Sequence, residues 1–487
     1  MTMNLALPQQ DGLRGGRWST ALILSAILAF FLADEWLIGV SIVVFWMIWR
    51  FLPTLEGPPV LSVALTFQWV QVVVGIYYHA LTGRTLTAIE LSDYRPMVLI
   101  GLICIVSLVV GIKLGFRLPA HNHGVAAAKL ELEWHDLAVA YIAFILFSGT
   151  VQTLAWQMPS ITQSLLALNF LRYGVVFLLF RRLLRPPVRW GWIAAILVVE
   201  VGMGATGYFA GFREPLMILG IALIEVFDRR KVGNWLALGT VAAATIISSL
   251  IWTGIKITYR AEFRDEEFAT SREARMKRLG SLVSDWFDQD IDRHLRDTDK
   301  LIDRAWPVYY PALAMTRVPD PIPHTNGQLL WEAIIHVCTP RVFFPDKAKA
   351  RSDSELVRQY SGIGVDDETS MAFGYAGESY VDFGVPGMFV PIILYGVFIG
   401  GAASWLLKKI HTTELAVAIV TVIAWLSLYL FERSWIYMLG LSATLIICLG
   451  GAGILADTLL ERRQAARLAH ASDQGAGTEA DALIVSP

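Results

Sequence analysis

The chain has 487 residues, 55% of them hydrophobic and 17% charged, with a formal net charge of −2 and a mean hydropathy of +0.53. Soluble domains carry more charge and less apolar content, so this composition excludes an ordinary soluble protein, and so small a net charge gives no reason to look for nucleic acid. Three scattered cysteines, Cys104, Cys338 and Cys448, form neither a disulfide framework nor a metal-ligand spacing.

Apolar runs of about 20 residues recur along most of the chain, the length that spans a bilayer as a helix. No water satisfies backbone groups in lipid, so these runs must be helical; they lack the two-residue alternation of a membrane barrel. The N-terminal stretch carries Arg14 and Arg17 ahead of an apolar segment broken by Asp34 and Glu35, with no small-residue cleavage pattern, which predicts a retained anchor. About twelve helices are expected in all. A short pair at 19–33 and 36–51 is followed by 58–80, 96–116, 135–156, 161–180, 189–209, 213–227 and 234–256. After a polar island, three more spans, 385–407, 413–431 and 435–456, end the membrane part. The expected fold is an all-α polytopic membrane protein. Helices 1–9 occupy residues 1–256, a large, mainly helical loop fills 257–384, helices 10–12 occupy 385–456, and 457–487 is a tail. Residues 464–487, rich in Ala, Gly, Asp and Ser, are expected to be disordered.

Lys and Arg concentrate in alternate gaps, which sets the orientation. One set of gaps holds Arg14, Arg17, Arg50, Lys113, Arg117, Lys129, Arg181, Arg182, Arg185, Arg189, Arg229, Arg230, Lys231, Lys408, Lys409, Arg462, Arg463 and Arg467. The other short gaps hold only Arg84, Arg95, Arg213 and Arg433. The first set is expected on the cytoplasmic side. Both termini are then inside and the island outside, in the periplasm of a Gram-negative cell.

A long insert between membrane helices is usually functional or disordered. The aromatic residues Trp286, Trp306, Tyr309, Tyr310, Trp331, Phe343 and Phe344 argue against disorder here. The stretch EEFATSREARMKRLGSLVSDWF (266–287) reads as an amphipathic helix with Phe268, Met276, Leu279, Leu282 and Phe287 along one side, and GQLLWEAIIHVC (327–338) reads as a second. The island is expected to cap the outer mouth of the bundle. Within it, HVCTPRVFFPDKAKARSDSE (336–355) carries Arg341, Lys347, Lys349 and Arg351 beside a turn fixed by Pro340 and Pro345. Of the outer arginines, Arg213 opens a helix after Gly207 and Gly211, and Arg433 sits in the tight turn LFERSWIY. Arginines at this boundary also snorkel to the interface. A guanidinium at a helix N-terminus, however, is a sound way to bind phosphate.

The piece TPRVFFPDKAKARSDSE (339–355) resembles the Pro-Arg…Phe-Pro-x-Lys turn of Wzy-type oligosaccharide repeat-unit polymerases. MAFGYAGESYVDFGVPG (371–387) is similar to their Gly-Glu-x-Tyr-x-x-Phe-Gly-x-x-Gly stretch. The helix-opening Arg213, the late-turn Arg433 and the short helix pair at the start are similar too; ERSW departs from the family in lacking a glycine after its arginine. The resemblance implies a glycosyltransferase of the bacterial inner membrane acting on its outer face. Such an enzyme moves a growing glycan from undecaprenyl diphosphate onto a sugar hydroxyl of the next lipid-linked unit and releases undecaprenyl diphosphate. No cofactor is expected, and no metal: the acidic clusters RDEEF (264–268) and VDDE (365–368) could hold a divalent ion but read as solvated faces. The enzyme's partners would be membrane lipid, the undecaprenyl-diphosphate-linked oligosaccharide, a chain-length-regulating copolymerase and a flippase, with no nucleic acid.

That chemistry needs cations aimed at the departing diphosphate. Arg213 and Arg341 are the expected pair, with Arg433, Lys347 and Arg351 in support. The acceptor hydroxyl needs a base, for which Glu378, contained in the matched stretch, and His336 are the candidates. Trp306, Tyr309, Tyr310 and Tyr380 are placed to stack on sugars, and Asp382 to bind hydroxyls. Rival readings are a ligase that moves finished glycan onto a lipid A core, a single-addition glycosyltransferase using lipid-linked sugar, and, in another class, a flippase or transporter.

Overall fold

The computed structural model describes residues 16–32, 35–52, 59–117, 132, 134–158, 160–205, 211–228, 230–264, 271–344, 346–347, 351–364 and 373–483. Every regular element among them is helical. In chain order the α-helices are α1 (Gly16–Leu32), α2 (Leu37–Phe51), α3 (Val60–Thr82), α4 (Thr87–Leu91), α5 (Arg95–Arg117), α6 (Trp134–Gln157), α7 (Thr162–Asn169), α8 (Leu171–Leu183), α9 (Trp190–Ala205), α10 (Arg213–Glu225), α11 (Val232–Ala261), α12 (Arg272–Phe287), α13 (Ile291–Ala305), α14 (Tyr309–Met315), α15 (Gln328–Cys338), α16 (Asp353–Leu356), α17 (Gly374–Gly387), α18 (Phe389–Lys409), α19 (Thr413–Leu428) and α20 (Trp435–Leu483). The stretch from residue 464 to 483, expected to be disordered, continues α20.

Among the described residues, seven helical segments are long and apolar enough to cross a membrane: Val60–Thr82, Arg95–Arg117, Trp134–Ala155, Thr162–Leu183, Val232–Ala261, Phe389–Lys409 and Trp435–Arg463. The chain is a membrane protein. Each of these segments falls on an expected span. The remaining expected spans coincide with the shorter helices α1, α2, α9, α10 and α19.

The tightest seam joins α5 and α18. Gly111 and Gly115 face Gly396 and Gly400, two four-residue glycine spacings meeting backbone to backbone. A Cβ on Gly111 would stand 2.2 Å from the Ile393 carbonyl oxygen, and one on Gly400 2.3 Å from that of Ile112. Helix α19 is buried along most of its length and packs against α3, α8 and α20. Where it ends, two α3 glutamines take over its backbone partners. Gln68 donates to the Leu428 carbonyl, and Gln71 donates to that of Tyr429 at 2.8 Å and accepts from the Phe431 N–H at 3.2 Å. A chain break inside a membrane bundle requires such substitutes.

The island is helical and attached at several points. Ile255 and Tyr259 of α11 pack with Leu282 and Trp286 of α12. The buried stripe of α12 therefore differs from the expected one: Leu279, Leu282, Val283 and Trp286 face inward, while Met276 and Phe287 are exposed. Phe268 lies outside the described residues. Helix α13 docks on α3 through Asp299, which accepts from the Tyr78 hydroxyl at 2.6 Å and pairs with Arg84 at 2.5 Å. Trp306, just past α13, is expected as a sugar platform; instead it is 1% exposed and plugs the seam between α3 and α5. Its indole donates to the Val72 carbonyl at 2.8 Å and stands edge-on to Tyr94. Gly75 leaves room for it, since a Cβ there would lie 2.1 Å from the indole.

Candidate functional site

Helix α17 organises the site. It breaks at Gly384, whose φ of 60° is in the left-handed region and whose missing Cβ leaves space for the His324 ring. Glu378 and Asp382 lie four residues apart, on one face of α17. Both act as caps. Helix α15 begins at Gly327, which has no side chain to bind its first N–H groups. Asp382 supplies that function from a distance, accepting from the N–H of Leu329 at 3.0 Å, from that of Leu330 at 2.9 Å and from the Thr325 hydroxyl. Glu378 Oε2 accepts from the N–H of Trp435, the first residue of α20, at 2.8 Å. Asp382, expected to bind sugar hydroxyls, is therefore engaged with protein groups at both oxygens. Tyr380, expected to stack on sugar, donates its hydroxyl to the Val318 carbonyl at 2.9 Å, and Tyr309 packs against Tyr310 at 5.0 Å between ring centroids.

The two helices that α17 caps both contribute to the lining of a cavity of about 410 Å³. Glu332, His336 and Thr339 line it from α15, Lys347, Arg351 and Asp353 from the segment that follows, and Glu378 and Ile436 from the floor. Four residues singled out in the sequence, His336, Lys347, Arg351 and Glu378, thus meet in one place. The turn before them is set by the N–H groups of Phe343 and Phe344, which both donate to the Pro340 carbonyl at 3.0 Å. It brings Arg341 within electrostatic reach of His336 and Lys347. Pro345 and Lys349 lie outside the described residues. Lys347 donates to the His336 carbonyl near the end of α15, where a cation suits the helix dipole. Arg351 pairs with Glu332 at 3.2 Å.

Burial, reinforced by Lys347 and Arg341, pushes the His336 imidazole below its usual value, so it is neutral at pH 7. Burial pushes the Glu378 carboxyl far above the usual range. The Trp435 N–H opposes this, and the neighbouring Asp353 and Asp382 add to it. The expected base is therefore harder to ionise than an ordinary glutamate. Asp353 is pushed up to about 6 by burial and by Glu432, with the Ser434 hydroxyl opposing.

The remaining arginines gather elsewhere. Arg213, the first residue of α10, lines a separate small cavity with Glu214, Trp425 and Tyr429. The Arg433 guanidinium lies 5.0 Å from the Tyr429 ring centroid and donates to the Leu426 carbonyl. Glu432 lies half-buried among Arg304, Arg213 and Arg433, and its desolvation raises its pKa against the pull of all three. Arg213 and Arg341 were expected to meet at one headgroup; Arg213 instead joins Arg433 and Arg304, and Arg341 joins His336 and Lys347. The turn at 429–434 separates the groups: its Glu432 is among the arginines and also acts on Asp353, which Ser434 adjoins. Sequence reasoning missed Asp353, Glu432 and Arg304. Asp353 lies within the singled-out basic stretch and Glu432 adjoins Arg433, whereas no sequence signal marked Arg304.

Among the described residues, His411, Asp457 and Glu461 offer ligand atoms within 4.8 Å of one another. Asp457 already accepts from the His411 and Thr412 N–H groups at 2.8 Å each, capping α19. The acidic stretches at 265–268 and 365–368 lie outside the described residues.

The family model described as Domain of unknown function (DUF8712) matches residues 96–411, more than half of the chain, so the protein belongs to that family. The match contains every cavity-lining residue except Ile436. No curated protein and no solved structure matches the chain.

Proposed function

We propose that this DUF8712 member is a membrane glycosyltransferase acting on oligosaccharide carried by undecaprenyl diphosphate. In this reading it is a polymerase that joins repeat units on the periplasmic face of the bacterial inner membrane. The observation that carries the reading is the cavity of about 410 Å³ in which His336, Lys347, Arg351 and Glu378 converge. Its volume lies in the range of small-molecule sites. Its charge suits the reaction. Lys347 lines the cavity beside His336 and Arg341 lies within electrostatic reach of both, so an entering diphosphate finds cations that, among the described residues, have no carboxylate partner. As the anomeric carbon–oxygen bond breaks, the negative charge developing on the leaving diphosphate is stabilised by those cations. Burial of Glu378 disfavours negative charge on its carboxyl, which suits a site for an anion.

The orientation follows from the Lys and Arg bias of the short gaps. With it, the spans number about twelve and the island is periplasmic. The arginine group around Glu432 lies next to the cavity through the 429–434 turn and would hold a second phosphate of the lipid carrier or of the acceptor.

The test is reconstitution in proteoliposomes with a purified lipid-linked repeat unit. A ladder of lengthened glycans with release of undecaprenyl diphosphate supports a polymerase. Transfer of glycan only to an added lipid A core points to the ligase reading. Movement of the intact lipid-linked unit across the bilayer without chain growth points to a flippase and discards the proposal.

A further inference from the structure

Among the polar groups lining the cavity, Asp353 has no role above. Asp353 opens α16 and lines the cavity between Arg351 and Leu356. Its Oδ1 is inaccessible to solvent, and the donor beside it among the described residues is the Ser434 hydroxyl, itself shut off from solvent. A buried carboxylate ordinarily has a cation or a set of donors. The cavity's cations are engaged elsewhere: Lys347 on the His336 carbonyl and Arg351 on Glu332. The titratable groups that face Asp353 are Glu432 from the 429–434 turn, Glu378 from α17 and Tyr437 from α20. None of them is a cation.

The two other acid–base groups fit a base role less well. Burial disfavours the ionised form of Glu378, and its Oε2 is held by Trp435. Proton uptake by His336 is opposed by Lys347 and Arg341. Two carboxyls whose surroundings drive them to different protonation states at one site divide acid and base roles between them.

Resting on the proposed transferase reading, we propose that Asp353 is the general base that takes the proton from the acceptor sugar hydroxyl. As that proton moves to the Asp353 carboxylate, the hydroxyl oxygen bonds to the anomeric carbon of the donor sugar. The bond from that carbon to the diphosphate oxygen breaks, and its electron pair leaves with undecaprenyl diphosphate. Asp353 then gives its proton to water. Its pKa of about 6 leaves it ionised at neutral pH yet more basic than an ordinary aspartate, which suits general-base work.

The experiment uses the full-length protein in proteoliposomes with a purified lipid-linked repeat unit. Asp353→Asn is expected to lower turnover by about 10²–10⁴-fold, the usual contribution of a general base, with binding of the lipid-linked unit unchanged. In the wild type, turnover should fall as the pH drops below about 6. Ser434→Ala removes a hydroxyl that favours the ionised carboxyl, so it should move this acidic limb to higher pH. A merely structural Asp353 would not produce that shift, and this readout survives if Asp353→Asn fails to fold. Wild-type turnover in Asp353→Asn, or an acidic limb unmoved in Ser434→Ala, overturns the base assignment while chain growth by the wild type leaves the transferase reading standing. A wild type that extends no lipid-linked glycan overturns both.

Discussion

Glu378 and Asp382, four residues apart on α17, each receive N–H groups at the start of a different helix: Trp435 of α20 for Glu378, and Leu329 and Leu330 of α15 for Asp382. One short helix thereby caps both helices that contribute to the cavity lining. The cap on α15 is the more exposed to failure, because Gly327 offers no substitute. Asp382→Ala would leave buried N–H groups unpaired, at about 1–3 kcal/mol. The variant is expected to unfold at a lower temperature in detergent and to lose turnover with it, since α15 carries Glu332 and His336. Asp382→Asn, whose amide oxygen still accepts, should recover part of both. A thermal melt of Asp382→Ala that matches the wild type would show that the cap is dispensable.

Glu378 behaves differently because burial has raised its pKa. The folded state keeps the proton to higher pH. The unfolded chain releases it above its ordinary value of about 4.3. Ionisation of the unfolded state therefore costs stability as the pH rises through that value, and the cost levels off above the folded pKa. Glu378→Gln mimics the protonated form and retains an oxygen for the Trp435 N–H. Its melting temperature should exceed that of the wild type at pH 8, and the gap should close towards pH 4. Turnover should change only a few-fold. Abolished turnover in a well-folded Glu378→Gln would return the base role to this residue.

The membrane helices were legible because a span depends on local composition over about 20 residues, and each long apolar helix falls on an expected run. The cavity was partly legible for a related reason: His336, Lys347 and Arg351 are close in sequence, so one turn gathers them. What could not be read was decided by contacts between distant segments. Asp382 looked free because its partners are the first N–H groups of another helix, left uncapped by Gly327. Trp306 looked like an exposed platform because nothing in its surroundings announces the gap at Gly75. On α12, Met276 and Phe287 are apolar, but the α11 surface selects the face bearing Leu282 and Trp286. The separation of Arg213 from Arg341 is of the same kind.

Glu432 sits among Arg213, Arg304 and Arg433. Removing this half-buried carboxylate from among the guanidiniums leaves their mutual repulsion uncompensated. Glu432→Gln is expected to lower the melting temperature clearly. Replacing one neighbouring guanidinium should relieve the repulsion left behind, so Glu432→Gln with Arg304→Met should be more stable than Glu432→Gln alone. This is a double-mutant cycle with a predicted sign. Independent, additive losses would show that Arg304 and Glu432 do not interact.

The α5–α18 seam permits a test between adjacent residues. Gly400 lies against α5: a Cβ there would be 2.3 Å from the Ile112 carbonyl oxygen and 2.9 Å from its Cα, both backbone atoms that cannot swing aside. At Gly401, the next residue, a Cβ meets nothing within 4 Å. Any side chain at Gly400 must push the helices apart, an overpacking cost of about 1–3 kcal/mol. The same methyl at Gly401 only removes backbone freedom, for a gain of roughly 0.5–1 kcal/mol in a helix interior. Gly400→Ala should therefore melt below the wild type and Gly401→Ala at or above it, although the two substitutions are chemically identical and neighbours in sequence. Gly115→Ala, whose Cβ would stand 2.4 Å from the Val397 carbonyl oxygen, should behave like Gly400→Ala. Equal melting temperatures for the two variants at 400 and 401 would mean that α5 and α18 do not touch through this glycine face.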